Sequence, residues 1–208
     1  MSLTDRFVSV WRELGGLGDG RDLAARLLEA YGEPHRAYHT VEHLRACLEL
    51  LDQTRSATER PAEVAAALWF HDVVYDPRAH DNEARSASWA RSALRAGGVA
   101  EEIVTRVARL VMATAHDGPS VISPDATLVV DIDLAILGAE PSVFDRYEKA
   151  VRAEYSWVDD DAWRQGRAAM IEGFLRRETI YRTPSLFRRL EANARKNLRR
   201  SLARLTGP

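Results

Sequence analysis

The sequence predicts an all-α protein, a compact bundle of about nine or ten helices at ordinary helix lengths. Three observations predict it. Apolar residues recur at 3.6-residue spacing along nearly the whole chain. Glycines, prolines and capping residues fall where helices start and stop. The single β-branched run, Thr127 to Leu134, has no second strand to pair with.

Leu3, Phe7, Val10, Trp11 and Leu14 share one face, and Gly15-Gly16 ends it. Leu23, Leu27, Leu28 and Tyr31 form the next stripe, closed by Gly32 with Pro34 beyond. Val41, Leu44, Leu48 and Leu51 follow, with Thr40 placed to cap. Pro61 opens an Ala-rich helix that runs through Ala65-Ala66-Ala67-Leu68-Trp69-Phe70. Asp81 to Ala96 reads as a helix closed by Gly97-Gly98. Val99, Ile103, Val107, Leu110, Val111 and Thr114 give the cleanest stripe, which ends at His116-Asp117-Gly118-Pro119. Ser123-Pro124-Asp125 supplies a cap, a first-turn proline and a first-turn acid, and Gly138 a stop, so residues 123–137 are expected to be helical. Three more helices lie beyond Pro141, striped by Val143, Phe144, Tyr147 and Val151, by Trp163, Met170 and Phe174, and by Leu186, Leu190, Leu198, Leu202 and Leu205.

At 208 residues the chain is expected to be one domain, with residues 141–205 packing on a functional region at about 36–138. Apolar content of 46%, charged content of 29% and a formal charge of −2 fit a globular protein, with no global pull toward nucleic acid or membrane. Cys47 is the only cysteine, which excludes an intramolecular disulfide and a cage of several thiolates. No apolar stretch reaches the roughly 20 residues of a membrane span, and Met1-Ser2-Leu3-Thr4-Asp5-Arg6 has no signal pattern. A cytoplasmic protein is expected.

The chemistry concentrates in three places. His71-Asp72 ends an apolar run whose burial would be costly for the doublet unless it is paired, hydrogen-bonded or metal-bound. His39 and His43 are four residues apart, which on a helix puts them on one face. Asp131 and Asp133 follow downstream and, on a helix, point about 200° apart, so both are not expected at one ion. Two histidines and two aspartates from separate segments can close around a divalent cation.

The ordered set resembles the HD-domain superfamily of metal-dependent phosphohydrolases. It is most similar to a bacterial branch bearing Tyr-His-x-x-x-His, Trp-Phe-His-Asp-x-x-Tyr, Asn-Glu-x-x-Ser-Ala and Asp-x-Asp-Leu-x-x-Leu-Gly, which stand here at Tyr38 to His43, Trp69 to Tyr75, Asn82 to Ala87 and Asp131 to Gly138. The likeness extends to Arg152 to Tyr155 and Ala194 to Leu198, so it covers most of the chain. The resemblance implies His43, His71, Asp72 and Asp133 as metal ligands, with His43 chosen over His39 because Cys47 occupies the small position one turn later. It leaves His39 facing the substrate or supporting a ligand, and Asp131 fixing a histidine or a helix end. His116 is implied to face the site. Where some nucleotidase branches carry a glutamate after the doublet, this chain has Tyr75, followed by Asp76, which is the acid taken for proton handling; Asp81 and Glu83 are nearby substitutes for that glutamate, or otherwise acids at a helix N-terminus.

Two imidazoles and two carboxylates suit Mn²⁺, Fe²⁺, Co²⁺, Ni²⁺ or Zn²⁺ better than Ca²⁺ or Mg²⁺, although Mg²⁺ stays in the set. The expected activity is hydrolysis of a small phosphate ester or anhydride, a nucleotide among the candidates. Two alternatives stand beside it: an iron oxygenase with a dinuclear centre drawing on His39 and His116, and a regulatory protein that binds metal or nucleotide without turnover. The expected partner is a small phosphorylated molecule, with no membrane and no nucleic acid; a homo-oligomer is left open. Arg36 is read as a surface arginine, with a role at the leaving group as the alternative. His35 and His80 read as loop residues. Arg188, Arg189, Arg195, Lys196, Arg199, Arg200 and Arg204 read as a solvated face of the last helix.

Overall fold

A computed structural model describes residues 1–115 and 123–207. All regular structure among them is helical: α1 (Leu3–Glu13), α2 (Arg21–Tyr31), α3 (Val41–Gln53), α4 (Pro61–Phe70), α5 (Asn82–Ala96), α6 (Glu101–Met112), α7 (Pro124–Asp133), α8 (Pro141–Glu154), α9 (Asp160–Arg176) and α10 (Pro184–Thr206), with short 3₁₀ turns after α3, α6 and α7. The all-α expectation holds, and the Thr127–Leu134 run is helical. Ser123 supports its start, because its hydroxyl accepts from the Ala126 N–H at 3.1 Å. The helix then tightens into a 3₁₀ turn over Leu134–Gly138.

The chain divides into two compact units, Met1–Asp133 and Leu134–Pro208. In the first, α4 is the axis. All of its residues from Glu63 to Phe70 are buried, and it packs against α1, α3, α5, α6 and α7. A helix apolar all round has no solvent face to present, so it belongs in the middle. The one acid in it, Glu63, is neutralised by Arg106 of α6 through two bonds of 2.7 Å. Trp69 packs edge-on to Phe7 of α1, with ring centroids 5.1 Å apart. Trp11 of the same helix sits under three glycines: a Cβ on Gly16, Gly20 or Gly97 would come within 2.3, 2.7 and 2.0 Å of its ring.

In the second unit α10 packs on α9 and on the 3₁₀ turn. Asn197 donates to the carbonyls of Leu137 and Ala139, and Tyr181 to that of Leu134. Much of the basic charge on α10 is used internally. Arg195 bonds Glu191 and the carbonyls of Leu175, Arg177 and Glu178, while Arg200 and Arg204 pair with Asp145.

Candidate metal centre

α4 delivers the doublet. Its helical backbone continues into His71 (φ −58°, ψ −42°), and the chain leaves the helix there. The His71 ring is 1% exposed, and its Nδ1 lies 2.9 Å from the Leu68 carbonyl. A carbonyl can only accept, so Nδ1 carries a proton and Nε2 is the atom turned toward the centre. His43 comes from the first turn of α3, where Thr40 caps the helix by accepting from the Glu42 N–H. Asp133 ends α7.

These elements bring His43, His71, Asp72 and Asp133 together, with one donor atom of each within 4.8 Å of the others. The two Nε2 atoms are 3.1 Å apart. Asp72 Oδ2 lies 3.0 Å from His71 Nε2 and 3.5 Å from His43 Nε2; Asp133 Oδ1 lies 3.3 Å from His43 Nε2 and 3.6 Å from His71 Nε2. Donors bound to one cation at about 2.0–2.2 Å stand about 3.0 Å apart on an octahedral edge and about 3.4 Å on a tetrahedral one. The observed separations fit those edges. With Nε2 of His71 unprotonated, the buried Asp72 Oδ2 has no hydrogen-bond partner among the described residues, an arrangement that a cation relieves. The cluster can hold a metal ion.

Of the two aspartates at the end of α7, Asp133 joins the cluster; Asp131, 1% exposed, is not one of the four. His39 does not share a helix with His43, contrary to the spacing argument. α3 begins at Val41 after an extended Thr40, so His39 precedes the helix. Its ring instead stacks on Tyr75 (centroids 4.2 Å apart) and stands edge-on to Tyr38 and His43 at 4.9 and 5.9 Å. Asp76 is exposed and its Oδ1 accepts from the Arg78 N–H, closing a turn outside the cluster. His116 lies outside the described residues.

The residues that sequence reasoning missed are those that hold the strap from Asp72 to Asp76. Outside a helix, its backbone polar groups need partners from elsewhere. Arg36 supplies the first. It is not a surface arginine: its side chain is fully buried, and its guanidinium makes five bonds, to the carbonyls of Asp72 (2.7 Å), Val73 (3.1 Å) and His39 (3.1 Å) and twice to Glu33. An arginine has five N–H donors, so none remains for a substrate phosphate. Ser86 both donates to and accepts from the backbone of Val74, His35 Nε2 donates to the Tyr75 carbonyl, and Asn82 brackets Asp76 through its N–H and carbonyl. Asn82 and Ser86, one turn apart on α5, thus act on the strap rather than on the ion.

Burial alone would lower the His71 pKa, but the carboxylates of Asp72 and Asp133 outweigh it and raise it well above 6.5. Burial likewise opposes ionisation of Asp72, and the charges of His71, His39 and His43 overcome it, holding the carboxyl well below the usual range. Burial and the charges of Asp133 and Asp72 push the Cys47 thiol up. A raised folded-state pKa on His71 stabilises the metal-free protein fully below about pH 6.5 and is lost as pH rises through the folded value. The chelated protein is therefore expected to lose thermal stability as pH climbs from 6.5. The metal-loaded protein should gain it over the same range, because a cation competes with the Nε2 proton. Melting curves with chelator and with Mn²⁺ test this, and identical pH profiles would refute it.

No family model, curated protein or solved structure matches this chain.

Proposed function

We propose that the protein is a metal-dependent phosphohydrolase of the HD-domain type, cleaving a small phosphate ester or anhydride. The observation that carries the reading is the convergence of two imidazole Nε2 atoms and two carboxylates at ligand-edge separations, with Asp72 Oδ2 buried against both imidazoles. When bound there, a divalent cation supplies an activated water and neutralises charge developing on the phosphoryl group. The chain's own residues set the stage. Leu68 fixes the His71 tautomer, which leaves Nε2 for the ion. Asp72 and Asp133 balance the ion's charge, and the strap bonds from Arg36 and Ser86 keep Asp72 in place. His39, seated on Tyr75 at the edge of the cluster, is the side chain assigned to hold a proton for the leaving oxygen. Four donors from single residues support one ion rather than two.

The test is metal analysis of protein purified without chelator, followed by a screen over nucleotides and small phosphate esters with added Mn²⁺, Co²⁺ or Mg²⁺. Phosphate release that depends on the cation and stops with chelator is expected. A metal-loaded protein that releases phosphate from none of them would end the proposal.

Within that reading Asp133 and Asp131 should separate. Asp133→Asn keeps the size of the side chain but removes a charge the cation needs, so occupancy and turnover should both collapse. Asp131→Asn should cost at most the roughly 10–100-fold typical of an outer partner. Metal content and kcat measured on both variants decide it; equal collapse would mean that Asp131 also holds the ion.

A further inference from the structure

The loop between α2 and α3 and the strap after His71 are laced together. His35 and Arg36 of the loop donate to the strap carbonyls of Tyr75, Asp72 and Val73. Arg36 also turns back on its own loop and donates to the His39 carbonyl at 3.1 Å. The lacing ends in a pair of rings: His39 stacks on Tyr75 with centroids 4.2 Å apart and planes 30° from parallel. Tyr75 is itself held. The His35 ring lies within 5° of parallel to it at 6.2 Å, and the Arg36 guanidinium carbon stands 5.5 Å from its centre. His39 precedes α3, so no helical turn limits its side chain, and the flat contact with Tyr75 restricts the swing of its ring. Tyr75 thereby ties the His39 imidazole to the segment that carries Asp72.

We propose that Tyr75 is a positioning residue that acts through His39: its ring seats the imidazole where the leaving oxygen of a phosphate ester departs. The inference rests on the phosphohydrolase reading and deepens it by naming what aims the proton. In that step the bond from phosphorus to the leaving oxygen breaks and its electron pair stays on that oxygen. The proton held by His39 passes to the same oxygen and gives the alcohol. Water supplies the oxygen newly joined to phosphorus, and one of its protons replaces the one His39 gave. Such a transfer needs the donor within hydrogen-bond reach of the departing atom. The need for the proton grows with the basicity of the leaving oxygen, so the contribution of Tyr75 grows with it. A residue that merely props up the strap has no such dependence.

The probes are p-nitrophenyl, phenyl and benzyl phosphate, which share a ring and differ chiefly in the basicity of the oxygen that leaves. Each is given to the full-length, Mn²⁺-loaded protein. Tyr75→Leu and Tyr75→Met remove the flat seat, and using both keeps the test alive if one fails to fold. In either, kcat for benzyl phosphate should fall roughly 100-fold, the scale of a displacement of about 1 Å. Phenyl phosphate should lose less and p-nitrophenyl phosphate least, with Mn²⁺ content unchanged. Tyr75→Phe, which keeps the ring, should restore most of the benzyl phosphate rate. Adding Tyr75→Leu to His39→Gln should cost nothing further, because the residue it positions is already gone. Equal losses on all three esters, loss of the ion, or a double variant slower than His39→Gln alone would overturn the role of Tyr75 and leave the phosphohydrolase reading standing. A metal-loaded wild type that cleaves none of the three would overturn that reading and this inference together.

Discussion

His71→Ala and Asp72→Ala are each expected to empty the centre, while His80→Ala leaves the metal content intact. His71 contributes an Nε2 that, like that of His43, lies within 3.0–3.6 Å of the three other donors, so its loss removes one of the two neighbours common to the set. Asp72 contributes a buried oxygen 3.0 Å from His71 Nε2, and without it the charge of a divalent ion is balanced by one carboxylate only. Metal content after gel filtration is the measurement, with circular dichroism run in parallel, because loss of a buried ion's ligands can also unfold its surroundings. The control is His80, an exposed residue on the segment before α5. Equal metal loss from all three variants would mean that the centre is elsewhere.

Arg36→Ala is expected to be the most destabilising single change near the site, at about 3–5 kcal/mol, because it strands several buried acceptors at once. The carbonyls of Asp72, Val73 and His39 lose their donor together. Arg36→Lys should recover only part of the loss, since an ammonium cannot reproduce the planar fork that reaches three carbonyls and a carboxylate. The affected carbonyls adjoin Asp72 and the His39 segment, so metal affinity should fall in step with stability. Denaturant unfolding with and without Mn²⁺ checks both. A change below about 1 kcal/mol, the level of an ordinary substitution, would show that the strap does not depend on Arg36.

The helices were legible because many carried their own punctuation: Thr40 and Ser123 accept from the helix N–H groups they were expected to cap. Pro61, Pro141 and Pro184 each stand in a first turn. The metal cluster was legible only through the ordered motifs, since helical periodicity says which side chains are buried and not which meet across the fold. Arg36 was misread for a related reason. Its partners are mostly backbone carbonyls, which every residue carries, so no residue type downstream marks them. The helical pairing of His39 with His43 failed because the Thr40 cap that the sequence displays also ends the helix before His39. Asn82 and Ser86 could be seen as a motif, but their action on Val74 and Asp76 needed the fold.

The placement of α4 has a consequence for how the protein breathes. A helix packed against five others can expose its amides only when several neighbours move away, so its hydrogens should exchange with solvent near the limit set by global opening. The strap that follows His71 is different in kind, being tied by side chains from residues 35, 36, 82 and 86 that can let go separately. Its amides should exchange by local opening and speed up on chelation, while those of α4 should not. One ligand of the doublet is thus anchored to the slowest-opening segment and its neighbour to a looser one. An ion could then enter or leave by release of Asp72 alone, without the core coming apart.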